Sequence, residues 1–136
     1  MGDGSVEMAL LPSIDLGTGR TATAISAGVY HRCALLDNAS VKCWGYNYYG
    51  QLGIDSTSDK GDGSSGDTMT DLPTVNLGTG RTATATAAGN YHTCALLDNA
   101  SVKCWGRNYA GELGIDNTTQ IGDNTGEMDL LLGIDL

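Results

Sequence analysis

The chain consists largely of one sequence written twice, with a period of 61 residues. Residues 16–55 and 77–116 align without gaps, and only seven of the forty aligned positions differ. A repeat of this length is one supersecondary unit that cannot bury its own apolar surface, so adjacent units must stack on each other. The period therefore constrains the fold more than any single residue does.

The segments at the two ends of the sequence are also related. Residues 122–136 resemble residues 2–16, and both resemble the slightly longer stretch 61–77. We divide the sequence into a partial blade strand at 1–15, unit 1 at 16–76 and unit 2 at 77–136, which ends in the opening strand of a further repeat. Because the sequence begins and stops at the same phase, we expect a segment of a longer array or a protomer that joins copies of itself head to tail.

The composition limits both the core and the partners. Phe is absent and Gly numbers 20, so the core is thin and gains from disulfides or neighbouring chains. The formal net charge of −9 gives an acidic surface, whereas nucleic-acid binders carry a basic patch, and we expect no nucleic-acid partner. No apolar run is long enough to span a bilayer, so no membrane insertion is expected, and the N-terminus lacks the pattern of a signal peptide.

Each unit carries two cysteines on either side of a predicted β-hairpin: Cys33 and Cys43 in unit 1, Cys94 and Cys104 in unit 2. With a three-residue loop at 37–39, Leu35 faces Val41 and Cys33 faces Cys43 on the same side of the ribbon. A two-residue loop would place the two sulfurs on opposite faces, because side chains alternate along a strand. Only the first register gives the Cβ separation of about 4 Å that a disulfide needs.

A cross-strand disulfide in each unit is the interpretation that we favour. It would stabilise each hairpin by about 3 kcal/mol in the chain-entropy model and would indicate maturation outside the reducing cytosol. Four reduced, buried thiols are the alternative. A zinc site made of all four cysteines is disfavoured, because the closely spaced ligand pairs of such sites are missing.

The rest of the pattern predicts strands and loops. Strands are expected at 21–26, 30–36 and 40–44 of unit 1, at the equivalent positions of unit 2, and near 10–16 and 72–77. No segment keeps a helical period for long enough to predict a helix. Residues 55–71 are rich in Gly, Ser and Asp and are expected to form a surface loop.

A family resemblance rests on the segment GVYHRCALLDNASVKCWGYNYYGQLG and its counterpart GNYHTCALLDNASVKCWGRNYAGELG. Both closely resemble the repeat of the regulator of chromosome condensation family, in the cysteine-bearing form found in bacterial extracellular proteins. The resemblance implies an all-β fold of β-propeller blades, each a four-stranded antiparallel sheet, with usually about seven blades around an axis. On that basis the chain holds two four-stranded repeats of 61 residues plus the first strand of a third.

Both units depart from the family in the hairpin turn, where Ala39 and Ala100 replace the usual glycine. An Ala in the left-handed conformation is strained by about 1 kcal/mol. We therefore expect Asn38 and Asn99 to adopt that conformation instead.

The aromatic residues form the candidate interface. Trp44 and Trp105 follow the second cysteine of each unit and are expected to pack between blades, with their N–H groups seeking acceptors. Beyond them, unit 1 carries Tyr46, Tyr48 and Tyr49, whereas unit 2 carries Arg107, Tyr109 and Ala110. We expect the tyrosines to face Arg107 of a neighbour as an interface hot spot, with ordinary loop variation as the alternative explanation.

Candidate catalytic groups are few. His31 and His92 each precede a cysteine by two residues, an arrangement that resembles a Cys/His nucleophile pair. A cysteine in a disulfide is no nucleophile, so hydrogen bonding within the blade is the expected role of both histidines. We expect no enzymatic activity and no cofactor.

The acidic loops provide only weak calcium candidates. Their carboxylates are hard oxygen ligands, but neither loop has the spacing of an EF-hand, and a solvated acidic loop is the default interpretation. The candidates are Asp59, Asp62, Asp67, Asp123 and Glu127.

The sequence thus favours an extracellular or cell-surface structural module that assembles head to tail with copies of itself into a ring or filament. The alternative is a propeller module that presents its loops to another protein, either as an enzyme inhibitor or as a regulator that resembles GTPase-exchange factors. The acidic charge and the expected disulfides argue against nucleotide exchange at chromatin.

Overall fold

The computed structural model describes residues 10–63, 67–134 and 136, which form two three-stranded antiparallel sheets. The sheet of unit 1 contains β1 (Ala22–Ala27), β2 (His31–Leu36) and β3 (Val41–Gly45) in that order. The sheet of unit 2 contains β4 (Ala83–Ala88), β5 (His92–Leu97) and β6 (Val102–Gly106). The all-β class and the antiparallel blade-like sheets are confirmed. The three strands predicted at 21–26, 30–36 and 40–44, and their equivalents in unit 2, lie within one residue of the observed ones, whereas those expected near 10–16 and 72–77 are absent from the described residues.

The hairpin register agrees with the prediction in both units. Leu35 lies opposite Val41 and Cys33 opposite Cys43, and the same pairing recurs in unit 2. Disulfides join Cys33 to Cys43 and Cys94 to Cys104, each with a Cα–Cα distance of 4.1 Å. The three-residue loop is therefore what brings the cysteines together.

The conformation of the hairpin turn differs from the prediction. Ala39 and Ala100 have φ of 64° and 67°, so alanine and not asparagine adopts the left-handed conformation. The asparagine before each alanine is held by its own side chain, because Oδ1 of Asn38 accepts hydrogen bonds from the backbone N–H and the hydroxyl of Ser40. A three-residue hairpin loop requires its left-handed residue at the third position, which leaves alanine to take it.

The predicted fourth strand of each blade is reduced to single backbone contacts. In unit 1 the N–H of Val75 donates to the carbonyl of Val41 at 2.8 Å, and Lys60 forms an isolated bridge with Gly45 at the other end of β3. Pro73 lies where an antiparallel ladder would place the next donor toward Cys43, and proline has no N–H. The outer edge of β3 is thus covered by two separate segments, and each sheet has three strands where we expected four.

The tail of the chain lies against unit 2. Ile134 forms a bridge with Val102 of β6, at the position that Val75 takes beside β3 in unit 1. The N–H of Ile134 donates to the carbonyl of Val102 at 2.7 Å, and the role of this segment as the opening strand of a further repeat stays a prediction. Of the partial strand expected at 1–15, residues 1–9 lie outside the described residues, and residues 10–15 contain no strand.

In the described residues after β3, two short helical turns interrupt the loops. A 3-10 turn at Met69–Asp71 ends the loop predicted at 55–71, and a one-turn helix, α1, spans Glu127–Leu130. The sequence predicted no helix, and a single turn is too short to show a helical period. Among the described residues, no helix has the length and apolarity to cross a membrane.

The core runs through both units as one cluster. It includes the unit 1 disulfide, apolar residues of both sheets and the side chain of Trp105. Leu52, Val75 and Leu77 from the loops of unit 1 pack into the same cluster as Met128 and Leu131 from the last loop of unit 2. The two units therefore stack on each other, as the repeat period requires.

Candidate interaction surfaces

The contact between the two units, called the joint below, defines two faces on every unit. The front face is the side toward the following unit, and the back face is the side toward the preceding one. Because side chains alternate along a strand, His31, Cys33 and Leu35 share the front side of β2, and all three are buried under unit 2 or the core. Thr93 occupies the back side of β5 and meets His31 across the joint.

Trp105 fills the joint from the back face of unit 2. Its side chain is 0% exposed, and its indole N–H donates to the carbonyl oxygen of Gln51 at 3.1 Å. A Cβ atom at Gly53 would lie 2.6 Å from the indole nitrogen, so the ring can enter only because this residue is glycine. Trp105 is therefore a knob on the back face, and Gly53 is its socket on the front face.

A buried hydrogen-bonded chain crosses the joint beside Trp105. The hydroxyl of Thr93 donates to the carbonyl of Gln51 at 2.7 Å, and Nε2 of His31 lies 2.7 Å from the same hydroxyl. The hydroxyl of Thr93 has one proton, which it donates to the carbonyl of Gln51. Toward His31 this hydroxyl can only accept a hydrogen bond, so Nε2 of His31 carries a proton of its own. Burial, followed by the nearby His92 and Arg32, lowers the pKa of His31 from 6.5 to about 4, which keeps the ring neutral.

Glycines allow the two backbones to approach closely. A Cβ atom at Gly50 would lie 2.4 Å from the carbonyl carbon of Gly122, and one at Gly28 would lie 2.2 Å from the carbonyl oxygen of Gly89. Distances below 3 Å are not tolerated against backbone atoms, so both contacts need glycine. Nearby, the carboxylate of Asp55 accepts the N–H groups of Gly126 and Met128, each at 3.0 Å.

The same features are uncovered on the outer sides of the chain. Trp44, the equivalent of Trp105, is only half-buried on the back face of unit 1. On the front face of unit 2, Gly114 is exposed where Gly53 is buried. Leu96 is 40% exposed, whereas its equivalent Leu35 is 7% exposed. As far as the described residues extend, the chain thus presents an unfilled socket on one side and a half-buried knob on the other.

An apolar groove marks the uncovered front face of unit 2. Its volume is about 450 Å³, and it runs from Gly114 and Ile115 to Leu131 and Ile134. The equivalent surface of unit 1 contains Ile54 and Val75, which unit 2 helps to bury. The groove is therefore the counterpart of a surface that is already a joint elsewhere in the chain.

A second surface gathers all six tyrosines of the chain, which we call the tyrosine surface. Its members are Tyr30, Tyr46, Tyr48, Tyr49, Tyr91 and Tyr109, with ring centroids 4.9 to 6.4 Å from their neighbours. Tyr30 and Tyr91 stack across the joint at 5.0 Å. Tyr48 and Tyr109 are the most exposed, at 62% and 63%.

Arg107 joins the tyrosine surface from unit 2. Its guanidinium carbon lies 5.3 Å from the ring centroid of Tyr91 and 6.0 Å from that of Tyr49, distances at which cations interact with aromatic faces. Nε of Arg107 is also 3.5 Å from the Glu112 carboxylate. Within this chain, Arg107 of unit 2 thus lies over Tyr49 of unit 1, and the interface hot spot between neighbours stays a prediction beside ordinary loop variation.

The calcium candidates are held by protein donors. Asp59 accepts the N–H of Asn47 at 2.7 Å, and Asp67 pairs with Lys60 at 3.0 Å. Glu127 accepts three backbone N–H groups, from residues 122–124. Asp62 also has an interaction partner. Across the described ranges, no three His, Cys, Asp or Glu side chains lie close enough to hold a metal ion.

Asp123 and Glu127 are two calcium candidates that the structure brings together. Burial and the adjacent Glu127 raise the pKa of Asp123. Burial opposes ionisation of Glu127 as well, but hydrogen bonds from Asn124 and Gly122 outweigh it and lower the pKa of that carboxyl. The pair therefore consists of one carboxylate that caps a turn and one carboxyl that is partly buried beside it.

Several residues of the joint escaped the sequence analysis. Gln51 and Thr93 carry its hydrogen bonds, while Gly50 and Gly122 carry its closest backbone approach. A signal was present, because Gln51 and Thr93 are among the few positions at which the two units differ. The histidines were expected to bond within a blade, whereas His31 bonds across the joint.

Comparison with protein families and curated proteins gives a consistent result. A family model described as "Regulator of chromosome condensation (RCC1) repeat" matches residues 22–51 and 83–112, and a second model with the same description matches residues 40–96. The chain is 32% identical to the human Probable E3 ubiquitin-protein ligase HERC4 over 68% of its own length. It is 33% identical to Protein pim1 of Schizosaccharomyces pombe over 68% of its length, and 32% identical to Protein RCC1 of Candida albicans over 67%.

The chain is much shorter than these relatives. It spans 8% of HERC4, 16% of pim1 and 19% of the Candida protein. Among solved structures, it is similar to human WBSCR16, with a TM-score of 0.63 and 19% identity over 85% of this chain and 26% of that one. It is also similar to yeast RCC1 (Prp20), with a TM-score of 0.56 and 21% identity over 83% of this chain and 25% of that one. These structural similarities concern the fold.

Proposed function

The chain belongs to the regulator of chromosome condensation repeat family, and on that premise we propose that it is a non-enzymatic extracellular module that assembles head to tail with copies of itself. In this assembly the front face of unit 2 in one copy receives the back face of unit 1 in the next. The result is a ring when the rotation per copy closes and a filament when it does not.

The proposal rests on the contrast between equivalent residues. Trp105 is 0% exposed in its socket, whereas Trp44 is half-buried and makes no hydrogen bond to the described residues. A Trp side chain contributes most to stability when its ring is buried and its N–H is hydrogen-bonded. A second copy would supply both, through the exposed Gly114 and the carbonyl of Glu112, the equivalents of Gly53 and Gln51.

The cysteines support the extracellular and non-enzymatic parts of the proposal. All four are paired in disulfides, which persist in oxidising compartments. A disulfide sulfur has no thiolate to act as a nucleophile, so Cys33 and Cys94 do not form catalytic pairs with the histidines. His31 is neutral, buried and hydrogen-bonded across the joint, which suits a structural role.

Sedimentation velocity of the 136-residue chain over a range of micromolar concentrations tests the assembly. We expect the mass to rise above the monomer mass of 14.1 kDa as the concentration increases. Trp44→Ala on the back face and Leu96→Asp on the front face should each shift the chain toward the monomer while retaining the β-sheet circular dichroism. A wild-type chain that stays at the monomer mass would refute the proposal, and negative-stain microscopy distinguishes rings from filaments.

The tyrosine surface supports a second candidate function, the binding of another protein. Exposed tyrosines are enriched at protein interfaces, where the ring packs and the hydroxyl bonds. Yeast RCC1 (Prp20) has been crystallised with Kap60, and Prp20p has binding properties toward Gsp1p and histones. By analogy, this chain would act as an inhibitor or as a regulator of a small GTPase.

A nucleotide-exchange assay with a small GTPase separates the two candidates. Acceleration by the wild-type chain that is lost in a Tyr48→Ser, Tyr109→Ser variant would favour the second function. No acceleration, together with concentration-dependent assembly, would favour the first. Both substitutions lie on exposed side chains and should leave the sheets intact.

A further inference from the structure

The few differences between the two units are concentrated at the joint. The differing pairs are Ile25/Thr86, Ser26/Ala87, Val29/Asn90, Arg32/Thr93, Tyr46/Arg107, Tyr49/Ala110 and Gln51/Glu112. In six of these pairs, one member makes a contact across the joint. Ser26 bonds Thr86 at 3.0 Å, Thr93 bonds the carbonyl of Gln51, and Arg107 lies over Tyr49.

In most of these pairs the other member faces outward on this chain. Ile25 and Arg32 are exposed on the back face of unit 1, whereas the ring of Tyr46 contacts that of Tyr91 across the joint, with centroids 6.2 Å apart. Ala87 and Ala110 are exposed and Glu112 is half-buried on the front face of unit 2. The Trp, Gly and Cys residues that shape the joint are identical in both units. A joint of the same geometry between two copies would therefore place Ile25 against Ala87 and Arg32 against Glu112.

These outward residues are complementary when paired in this way. Ile25 is large and 64% exposed, and Ala87 is small and apolar. In a joint between copies this apolar pair would occupy the place that the hydrogen-bonded Ser26 and Thr86 have within the chain. At the equivalent positions of a joint between copies, the carboxylate of Glu112 and the guanidinium of Arg32 take the places of the neutral Gln51 and Thr93.

The site for the guanidinium is open on the front face of unit 2. A cavity of about 350 Å³ there is lined by His92, Arg107 and Glu112, together with residues 89–91. In unit 1 the equivalent His31 and Gln51 are closed over by Thr93. Oε2 of Glu112 already accepts the N–H of Ala110 at 2.9 Å, and Oε1 lies 3.5 Å from Nε of Arg107. A carboxylate has about four lone-pair sites, so Glu112 can also accept hydrogen bonds from a second guanidinium.

We propose that Arg32 of one copy and Glu112 of the next form an ion pair that makes the joint between copies chemically distinct from the joint within the chain. This inference rests on the proposed head-to-tail assembly and names the contact that determines its direction. The back face with Arg32 then prefers the front face with Glu112 over one with Gln51. Copies would consequently join unit 2 to unit 1 in a fixed order, because unlike-charge pairs stabilise and like-charge pairs oppose a contact.

Charge reversal tests the pair. Arg32→Glu and Glu112→Arg each place like charges in the joint between copies, and each should weaken assembly by at least about tenfold, as for other close interfacial charge pairs. The double variant, with both reversals in one chain, restores opposite charges and should assemble again. An equimolar mixture of the two single variants should also assemble, with the two kinds of chain alternating. The measurement is sedimentation velocity at fixed ionic strength.

Arg20→Glu is the matched control, because it makes the same change of charge at an exposed ion pair with Asp37 that lies away from the joint. It should assemble as the wild-type chain does. If the wild-type chain assembles and the two single variants assemble equally well, the ion pair is overturned and the head-to-tail function stands. If the single variants are impaired and neither the double variant nor the mixture recovers, the pair is also overturned. A wild-type chain that remains monomeric overturns both proposals.

Discussion

At the scale of the residue, His31 shows how burial fixes the state of one side chain. Its ring is 1% exposed and bonds Thr93 across the joint. Protonation would place a charge in the core without a counterion, because the groups that face it are His92 and Arg32, which add to the penalty. The identical histidine of unit 2 is half-buried and faces an open cavity.

This difference predicts a pH dependence of stability. In the folded chain His31 has a pKa of about 4, against 6.5 as the ordinary value, so the unfolded chain binds more protons between these limits. The free energy of unfolding should therefore decrease as the pH falls from 6.5 to about 4. His31→Gln removes this contribution and should flatten the dependence, while His92→Gln serves as the matched control.

Urea unfolding of the three proteins at several pH values, under dilute conditions, provides the measurement. Titration of the carboxyl groups is common to all three and cancels in the comparison. The same pH dependence in His31→Gln as in the wild-type chain would contradict the assignment of a neutral, buried His31.

At the scale of the element, the hairpin carries most of what the local sequence specifies. The loop at 37–39 sets the register, the register aligns the cysteines, and the disulfide fixes the pair. The strain lies at Ala39 and Ala100, whose φ values are 64° and 67°. Alanine in this conformation has steric strain from its Cβ atom, which glycine lacks.

Replacement of these alanines by glycine should stabilise the chain. Ala39→Gly and Ala100→Gly are each expected to raise the free energy of unfolding by about 1 kcal/mol, through relief of the left-handed strain. Ala85→Gly is the control, since Ala85 is exposed in the extended strand β4, where glycine should lower stability by about 0.5 to 1 kcal/mol. Denaturant unfolding of the oxidised proteins gives all three values, and a destabilising effect at the turn positions would contradict the strain.

At the scale of the whole molecule, stability depends on the joint between the units. The core is one cluster that spans both sheets, and Trp105 is among its largest fully buried side chains. The two tryptophans share the same local sequence and the same place beside a disulfide. They differ in whether a preceding unit packs against the back face on which they lie.

A matched pair of substitutions measures this difference. Trp105→Ala should lower the free energy of unfolding by about 3 to 5 kcal/mol, because it leaves a cavity between the units and removes the bond to Gln51. Trp44→Ala should cost less than half as much, since that ring is only half-buried. Denaturant titration below the concentration at which the chain assembles makes the comparison, and equal losses would contradict the role of the joint.

The sequence by itself determined the class of fold, the strands, the hairpin register and the pairing of Cys33 with Cys43. These features depend on strand alternation and on residues close together in the chain, so a local pattern is enough to specify them. It did not show that alanine takes the left-handed position of the turn, nor that a single backbone contact replaces the fourth strand.

Only the tertiary structure decided which copy of each repeated residue is buried. Trp44 and Trp105, Leu35 and Leu96, and the two histidines have nearly identical local sequences, so no local pattern can distinguish them. Their environments diverge because the two units cover each other at the joint, while none of the described residues covers the front face of unit 2 or the back face of unit 1 in the same way. The burial of each residue depends on whether a neighbouring unit packs against it. Two copies of the same local sequence therefore cannot specify two different environments.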